Sequence, residues 1–145
     1  MGGLCGRERR VGSRSRLRTP SILVADDDER VAGVVARILE SGGLPVVTAH
    51  SFGHAQSLTA HFTVGVFDID LGDGCGVALA EQMVEAGRVR RVVFFSGGVS
   101  GERLVRARRL GNVLLKGVDT LLLQEHVLHL AGVAAAPEGS GSIGQ

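Results

Sequence analysis

Residues Thr63 to Gly76 read Thr-Val-Gly-Val-Phe-Asp-Ile-Asp-Leu-Gly-Asp-Gly-Cys-Gly, and this stretch decides the fold. Four of its first five residues are typical of a buried strand, and a glycine-rich turn follows Asp68. In an alternating α/β chain, a carboxylate at the C-terminal end of a central strand lies in the crevice where such folds bind ligands. Because Asp is also common in turns, Asp68 taken alone has two interpretations, a turn residue or a functional carboxylate.

The chain on both sides of this stretch alternates short apolar strands with amphipathic helices. Strands are predicted at Ser21–Ala25, Pro45–Ala49, Thr63–Phe67, Arg91–Phe95 and Asn112–Leu115. Helices are predicted at residues 29–41, Ser51–His61, Gly76–Ala86, Gly101–Leu110 and Asp119–Val133. Strands that alternate with helices indicate an α/β fold with a parallel sheet. We therefore predict a flavodoxin-like, doubly wound (βα)5 fold with a five-stranded parallel sheet in the order 2-1-3-4-5.

The first predicted helix has the clearest pattern of apolar residues. Its predicted buried stripe consists of Val31, Val34, Val35, Ile38 and Leu39. Asp28 is placed to cap the N-terminus of this helix, and Gly42 is placed to end it.

The overall composition is that of a globular domain. The chain has 145 residues, of which 44% are hydrophobic and 21% charged, enough for one domain with its own core. Its two cysteines, Cys5 and Cys75, imply no disulfide framework and fit a reducing compartment. The N-terminus lacks the apolar run of a signal peptide, and no stretch approaches the ~18 apolar residues of a membrane span. We therefore expect a cytoplasmic protein without membrane contact.

Charge and composition divide the chain into three parts. Residues 1–20 contain six arginines and one acid without periodicity, so we predict a disordered, Arg-rich arm. Residues 21–133 contain all the predicted elements and form the predicted domain, and residues 134–145 are predicted to be a disordered Gly/Ser tail. The arm could contact nucleic acid or a membrane. No aromatic residue is interleaved with its arginines, so we favour a solvated arm and expect no nucleic-acid partner.

Four of the predicted strands end in residues that can carry chemistry. Asp26 and Asp27 follow the first strand, Asp68 the third, Ser96 the fourth and Lys116 the fifth. Because the C-terminal ends of parallel strands lie along one edge of the sheet, we expect these groups to converge. Three carboxylates together suit a hard divalent cation such as Mg²⁺. Lys116 is the only lysine beside fifteen arginines, and its ammonium is a compact charge that Arg does not imitate.

These residue types together predict phosphoryl transfer. Asp68 is the candidate nucleophile towards a phosphoryl group. The predicted Mg²⁺ ligands are the side chains of Asp27 and Asp68, the backbone carbonyl of Asp70, and Asp26 through a water molecule. Mg²⁺ and the Lys116 ammonium would neutralise charge on the phosphoryl oxygens. Ser96 would hydrogen-bond one of those oxygens after the transfer.

Residues Ser21–Val133 resemble the receiver domain of bacterial two-component response regulators, in particular single-domain, chemotaxis-regulator-like receivers. The matching motifs are Ile22–Asp28, Phe67–Gly74, Val92–Ser96 and Leu114–Lys116. The resemblance implies a phosphoacceptor signalling domain with these site residues: phosphoacceptor Asp68, acidic pair Asp26 and Asp27, switch hydroxyl Ser96 and phosphoryl partner Lys116. It implies no enzymatic turnover beyond self-phosphorylation from a donor and autodephosphorylation.

The resemblance also implies protein partners. A sensor histidine kinase or a phosphotransfer protein would donate the phosphoryl group. Because no predicted element follows Val133, we expect output by contact with another protein through the fourth helix, the fifth strand and the last helix. The fourth helix favours an acidic partner because it carries Arg103, Arg106, Arg108 and Arg109. The last helix has more leucines than one buried stripe needs, which suggests packing against a partner or a second copy of the chain.

Two positions depart from the receiver pattern. Receivers usually follow the lysine with proline through a cis peptide, whereas this chain has Gly117, so we expect a trans peptide and a looser loop. Receivers usually carry Tyr or Phe three residues before the lysine, and Val113 stands there in this chain. The predicted acid site is therefore complete, while the usual readout of phosphorylation lacks its aromatic residue.

Two alternatives remain open at this point. The first is a receiver-like binding module that works without phosphorylation, which the missing aromatic and proline support. The second is a haloacid-dehalogenase-type phosphatase, because Phe67-Asp68-Ile69-Asp70 matches the first motif of those enzymes. They place that motif on their first strand and an acidic pair after the lysine. In this chain the acidic pair comes first, so the order of motifs favours the receiver.

Overall fold

Five strands form one parallel sheet in a computed structural model of the chain, which describes residues 20–98 and 100–133. The strands are β1 (Ile22–Ala25), β2 (Val46–Ala49), β3 (Phe62–Phe67), β4 (Val89–Ser96) and β5 (Gly111–Leu115). Their order is β2-β1-β3-β4-β5, as predicted. Apart from Pro20, the predicted arm and the predicted tail lie outside the described residues.

Five helices alternate with the strands. They are α1 (Glu29–Ser41), α2 (Phe52–Ser57), α3 (Gly76–Glu85), α4 (Gly101–Leu110) and α5 (Thr120–Leu130). The weak second helix is shorter than predicted, because Leu58 takes an extended conformation and Arg88 binds the carbonyl oxygen of Leu58. The last helix ends three residues early, before Gly132, whose φ of +79° is in the left-handed region.

The helices cover both faces of the sheet, and successive strand residues supply the two faces alternately. On one face, Leu23 and Phe94 pack in a cluster with residues of α2, α3 and α4. On the other, Ile22 and Val24 pack with residues of α1 and α5. Because β1, β3 and the second half of β4 are covered on both sides, these segments are almost continuously apolar. Their C-terminal ends therefore place polar residues at the edge of a rigid, buried sheet.

The buried face of α1 differs from the predicted stripe. Asp28 caps the helix by accepting hydrogen bonds from the amides of Arg30 and Val31, and Gly42 ends it, as predicted. The buried residues are Ala32, Val35, Ala36 and Leu39. Val34 is 49% exposed, so its assignment to the stripe was wrong. The small side chains of the two alanines allow the helix to lie against the sheet, and this turns Val34 outward. Within residues 20–98 and 100–133, no helix has the length and apolar character needed to cross a bilayer.

Candidate functional site

The register of the sheet places the first two acidic strand ends side by side. Ala25 of β1 pairs with Phe67 of β3, so Asp26 and Asp68 follow at the same level. The amide of Asp68 donates to the carbonyl of Ala25 at 2.8 Å, which continues the ladder past the last paired residues. Asp26 and Asp68 are only 3% and 8% exposed. Two nearly buried carboxylates therefore lie side by side at the carboxyl ends of the central strands β1 and β3.

The remaining strand ends extend the same edge. Ser96 of β4 pairs with Leu115 of β5, and the amide of Lys116 donates to the carbonyl of Ser96 at 2.9 Å. Ser96 is 4% exposed. The sheet thus brings together Asp26, Asp68, Ser96 and Lys116, which sequence reasoning had selected from four separate strands.

Three carboxylates form a cluster, which we call the acid site: Asp26, Asp27 and Asp68. Each offers an oxygen within 4.8 Å of an oxygen of the other two. The Lys116 ammonium lies 2.8 Å from Asp26 Oδ2 and 3.0 Å from Asp68 Oδ2. Asp27 is exposed, so the acid site is open to solvent on one side. The ammonium compensates the buried negative charge that would otherwise destabilise the fold.

Burial and charge act in opposite directions on Asp26. Burial raises its pKa above the usual range, and the hydrogen bonds from Lys116 and from the Asp28 amide oppose that effect without cancelling it. For Lys116, burial lowers the pKa, but the hydrogen bonds to Asp26 and Asp68 and the negative charges of these two acids together outweigh burial, and the net pKa is raised. The lysine is therefore protonated at neutral pH and able to act as a fixed positive charge.

The turn after Asp68 is closely packed. An added Cβ at Gly76 would lie 1.8 Å from the backbone oxygen of Asp68, so a side chain at position 76 would displace the acid. The Gly76 amide donates to the carbonyl of Ile69 at 2.7 Å. The side chain of Asp70 is exposed and accepts a hydrogen bond from the Gly72 amide at 3.0 Å. The clustered carboxylates are those of Asp26, Asp27 and Asp68, so the backbone carbonyl remains the metal ligand predicted for Asp70.

The loop after Lys116 is tied to the start of α5 by two hydrogen bonds. Gly117 follows through a trans peptide and has a φ of +86°, in the region that proline cannot adopt. Its amide donates to Thr120 Oγ1 at 3.0 Å, and the amide of Leu115 donates to Asp119 Oδ2 at 2.8 Å. The trans peptide is as predicted, and the N–H that proline would lack ties the loop to α5.

A cleft of about 420 Å³ adjoins the acid site between α1 and the β5–α5 loop. Its lining includes Val34, Val35, Phe95, Lys116 and Gly117. Lys116 thus contributes to the cleft as well as to the acid site, and the outward-facing Val34 adds an apolar wall. The cleft is therefore a partly apolar surface that lies beside the acid site.

Two side chains have roles that sequence reasoning did not find. Asp73, to which the sequence analysis assigned no role, accepts hydrogen bonds from the amides of Phe52 and Gly53 in α2. Arg106 of α4 forms an ion pair with Glu81 of α3 at 2.6 Å, so it is not a free member of the arginine group. No local sequence signal connects residues that lie 20 or more positions apart. The acid within the turn was the only indication that Asp73 could bind another segment.

No family model and no curated protein sequence matches the chain. Solved structures do match. A CheY-like response regulator receiver domain protein from Methanospirillum hungatei is 26% identical with a TM-score of 0.69, over 79% of this chain and 95% of that one. A Francisella response regulator receiver domain is 24% identical with a TM-score of 0.69, over 79% and 98%. The putative NarL receiver domain from Mycobacterium tuberculosis is 21% identical with a TM-score of 0.66, over the same shares.

The chain has the fold of a response-regulator receiver domain. The receiver fold accounts for the strand order and for the placement of the acid site at the carboxyl edge of the sheet. All three of these similar structures are receiver domains. The fold therefore favours the receiver interpretation over the haloacid-dehalogenase-type phosphatase.

Proposed function

We propose that residues 21–133 form a phosphoacceptor signalling domain of a two-component phosphorelay, in which Asp68 accepts the phosphoryl group. One observation carries the proposal: within a receiver fold, the ammonium of Lys116 lies within 3.0 Å of both Asp26 and Asp68 at the carboxyl edge of the sheet. A nucleophilic carboxylate, two further acids and a fixed cation are the groups that phosphoryl transfer to an aspartate requires.

The chemistry begins with the carboxylate of Asp68. One of its oxygens forms a new bond to phosphorus while the bond from phosphorus to the donor breaks. When the donor is a phosphohistidine, the histidine nitrogen keeps the bonding electron pair and takes up a proton. The Lys116 ammonium lies beside the Asp68 carboxylate and would stabilise the negative charge on the phosphoryl oxygens. Ser96 lies one strand away and would donate a hydrogen bond to one of these oxygens after transfer.

The donor set of the acid site fits Mg²⁺. Asp26, Asp27 and Asp68 present oxygen atoms within 4.8 Å of one another, and hard cations prefer oxygen ligands. The proposed ligands are the carboxylates of Asp27 and Asp68, the backbone carbonyl of Asp70, and Asp26 through water. When bound, Mg²⁺ would supply positive charge to the transferring phosphoryl group. Asp27 is exposed, which leaves the site accessible to the ion.

We also propose that the phosphodonor, a sensor histidine kinase or a phosphotransfer protein, docks over the cleft beside the acid site. The cleft is bounded by α1 and by the β5–α5 loop, and Lys116 lies in its wall. A donor seated there would bring its phosphoryl group to the open side of the carboxylates. The exposed Val34 offers an apolar contact at the rim.

The proposed output surface consists of α4, β5 and α5. Exposed apolar side chains lie along it, with Leu121 at 93%, Leu122 at 52% and Val105 at 52%. Arg103, Arg108 and Arg109 are exposed on α4, while Arg106 is paired with Glu81. We infer an acidic protein partner or a second copy of the chain. A cytoplasmic location is part of this proposal, because the proposed donors transfer phosphoryl groups in the cytoplasm.

A phosphorylation-independent binding module is the second candidate. One observation favours it: Val113, which stands where receivers carry a switch aromatic, is a half-buried part of the core on the face of α2, α3 and α4. Without an aromatic side chain, phosphorylation has a smaller group to move. The complete acid site favours the phosphoacceptor.

The test is incubation of the purified chain with a small acyl phosphate, with Mg²⁺ or with a chelator, followed by intact-mass analysis. We expect a mass increase of one phosphoryl group with Mg²⁺ and none with the chelator. Release of inorganic phosphate from phosphomonoesters at a sustained rate would instead support the phosphatase. An unchanged mass with Mg²⁺ would support the binding module.

A further inference from the structure

The side chain of Asp73 fastens the loop after Asp68 to the N-terminus of α2. Its Oδ1 accepts from the Phe52 amide at 2.7 Å, and its Oδ2 accepts from the Gly53 amide at 3.2 Å. The first amides of a helix have no partner within the helix. An acid about 20 residues further along the chain satisfies two of them here.

The other part of this cap is local. Ser51 Oγ accepts from the His54 amide at 2.9 Å, and the Ser51 carbonyl accepts from the Ala55 amide at 3.0 Å. Ser51 therefore stabilises the same helix end without touching the acid-site loop. Asp73 differs from Ser51 because its two hydrogen bonds join two separate segments.

The loop that carries Asp73 is bonded internally. The Leu71 amide donates to the Gly74 carbonyl at 3.0 Å, and the Asp73 amide donates to the Leu71 carbonyl at 2.8 Å. The Gly72 amide donates to Asp70 Oδ1 at 3.0 Å. Residues 70–74 thus form a tight turn in which hydrogen bonds connect Asp73 to Asp70 through Leu71 and Gly72.

Packing at the same point reinforces the hydrogen bonds. A Cβ at Gly74 would lie 2.5 Å from the ring of Phe52, so the turn and the first residue of α2 are in direct contact. Cys75 begins α3 without a side-chain cap. The carboxylate of Asp73 is therefore used on the neighbouring helix α2 rather than on the helix that follows it.

We propose that Asp73 is a positioning residue of the acid site. By anchoring residues 70–74 to α2, it fixes the backbone carbonyl of Asp70 relative to the three carboxylates and so sets the affinity for Mg²⁺. The inference rests on the proposed function, in which that carbonyl is a metal ligand.

The test uses Mg²⁺ alone, titrated by calorimetry into the full chain and into two variants. Asp73→Ala and Ser51→Ala each remove one cap from the same end of α2, but only Asp73→Ala releases the loop. We expect Asp73→Ala to weaken Mg²⁺ binding about tenfold, in the range seen when groups that orient metal ligands are lost. Ser51→Ala should keep the wild-type affinity. Asp73→Asn, which retains one acceptor, should give an intermediate value.

A second readout needs no metal. Amide hydrogen exchange at residues 70–72 should be faster in Asp73→Ala and unchanged in Ser51→Ala. If Asp73→Ala keeps the wild-type Mg²⁺ affinity and amide exchange, Asp73 has no positioning role. The same holds if Asp73→Ala and Ser51→Ala lose equal Mg²⁺ affinity. Either result overturns the positioning role and leaves the proposed metal site standing. If the wild-type chain itself binds no Mg²⁺, the proposed metal site is wrong and this inference is overturned with it.

Discussion

Lys116 connects the charge balance of the acid site to its proposed chemistry. Its ammonium contacts Asp26 and Asp68 at 2.8 and 3.0 Å, and its side chain is 23% exposed. The same cation that allows two carboxylates to be buried together is placed to meet the oxygens of an incoming phosphoryl group. Removing it should therefore affect metal binding and phosphoryl transfer in opposite directions.

We expect Lys116→Ala to bind Mg²⁺ more tightly than the wild type, because the competing cation is gone. Phosphorylation by a small acyl phosphate should slow ~10²-fold, the usual cost of losing one group that stabilises transition-state charge. Calorimetry and intact-mass time courses measure the two effects. Arg30→Ala is the matched control, since Arg30 lines the same cleft and is not one of the partners of the acid site. Equal rates in wild type and Lys116→Ala would contradict the assigned role.

Single residues also show what could be predicted from the sequence. Asp26, Asp68, Ser96 and Lys116 were found because each stands at or directly after the end of a strand. A parallel sheet brings these strand ends together irrespective of the conformation of the loops. Asp73 was missed because its partners are backbone amides in another segment. Val34 was misplaced because periodicity gives the apolar side of α1 only approximately, and the packing of two alanines decides its final rotation.

At the scale of elements, the β5–α5 loop has its own conformation. Gly117 combines a φ of +86° with an amide that donates to Thr120 Oγ1. The Lys-Pro sequence usual in receivers could not adopt this loop, because proline has neither that φ nor an N–H.

Gly117→Pro should therefore lower stability by more than ~1 kcal/mol, as proline does where the native conformation is incompatible. Chemical denaturation measures the change. Gly117→Ala keeps the N–H, so it should cost less than the proline variant and isolates the strain of the left-handed φ. A Gly117→Pro variant as stable as the wild type would show that the loop readily takes another conformation.

The cap of α2 should make this part of the molecule sensitive to acid. Hydrogen bonds from the amides of Phe52 and Gly53 lower the pKa of Asp73 below its ordinary value. An acid with a lowered folded-state pKa contributes stability that is present above the unfolded-state pKa and lost as the pH falls through the folded value.

The thermal midpoint of Asp73→Asn should thus lie below that of the wild type at pH 7, and the difference should shrink below about pH 4. Ser51→Ala removes an uncharged cap, so its difference from the wild type should not depend on pH. Scanning calorimetry across this range tests the pair. A constant gap between wild type and Asp73→Asn down to about pH 3 would contradict the charged cap.

At the scale of the whole molecule, the side formed by β5 and α5 exposes several large apolar side chains. Leu115, Val118, Leu121 and Leu122 are 41%, 76%, 93% and 52% exposed. Three exposed arginines of α4, Arg103, Arg108 and Arg109, belong to the same surface. The predicted surplus of leucines in the last helix is present: Leu123 is buried, and Leu121 and Leu122 face outward.

We expect Leu121→Asp combined with Leu122→Asp to reduce self-association or partner binding without lowering the thermal midpoint, because both side chains are outside the core. Sedimentation with and without the acyl phosphate measures self-association. Val47→Asp is the control, since Val47 is 41% exposed on β2 at the other edge of the sheet. Equal association of the two variants would remove this side as the output surface.

Charge gives a second test of the same surface. Arg103→Glu combined with Arg109→Glu should weaken binding of an acidic partner, and association should fall with salt because exposed charges are screened. Arg106 is left out, since its ion pair with Glu81 holds α4 to α3. Phosphorylation should change the free energy of partner binding by only ~1–3 kcal/mol. We expect such a modest change because Val113 replaces the aromatic residue that usually moves on phosphorylation.

The order of the sheet and the position of the acid site follow from local patterns repeated along the chain. The length of α2 and the tie to Asp73 depend on contacts between distant segments, so the sequence alone could not supply them. The conformation of Gly117 involves only the nearby Thr120, but no local sequence pattern indicates that hydrogen bond. The strand ends are thus predictable from the sequence, while the loops that hold them require the structure.

The central claim is that Asp68 is the residue phosphorylated, and intact-mass analysis of Asp68→Asn against Asp70→Asn tests it most directly. Both variants remove one negative charge from the same loop, but Asp70 is proposed to act through its backbone carbonyl, which the change retains. With Mg²⁺ and a small acyl phosphate, Asp70→Asn should gain one phosphoryl group and Asp68→Asn should gain none. A full mass increase in Asp68→Asn would contradict the account.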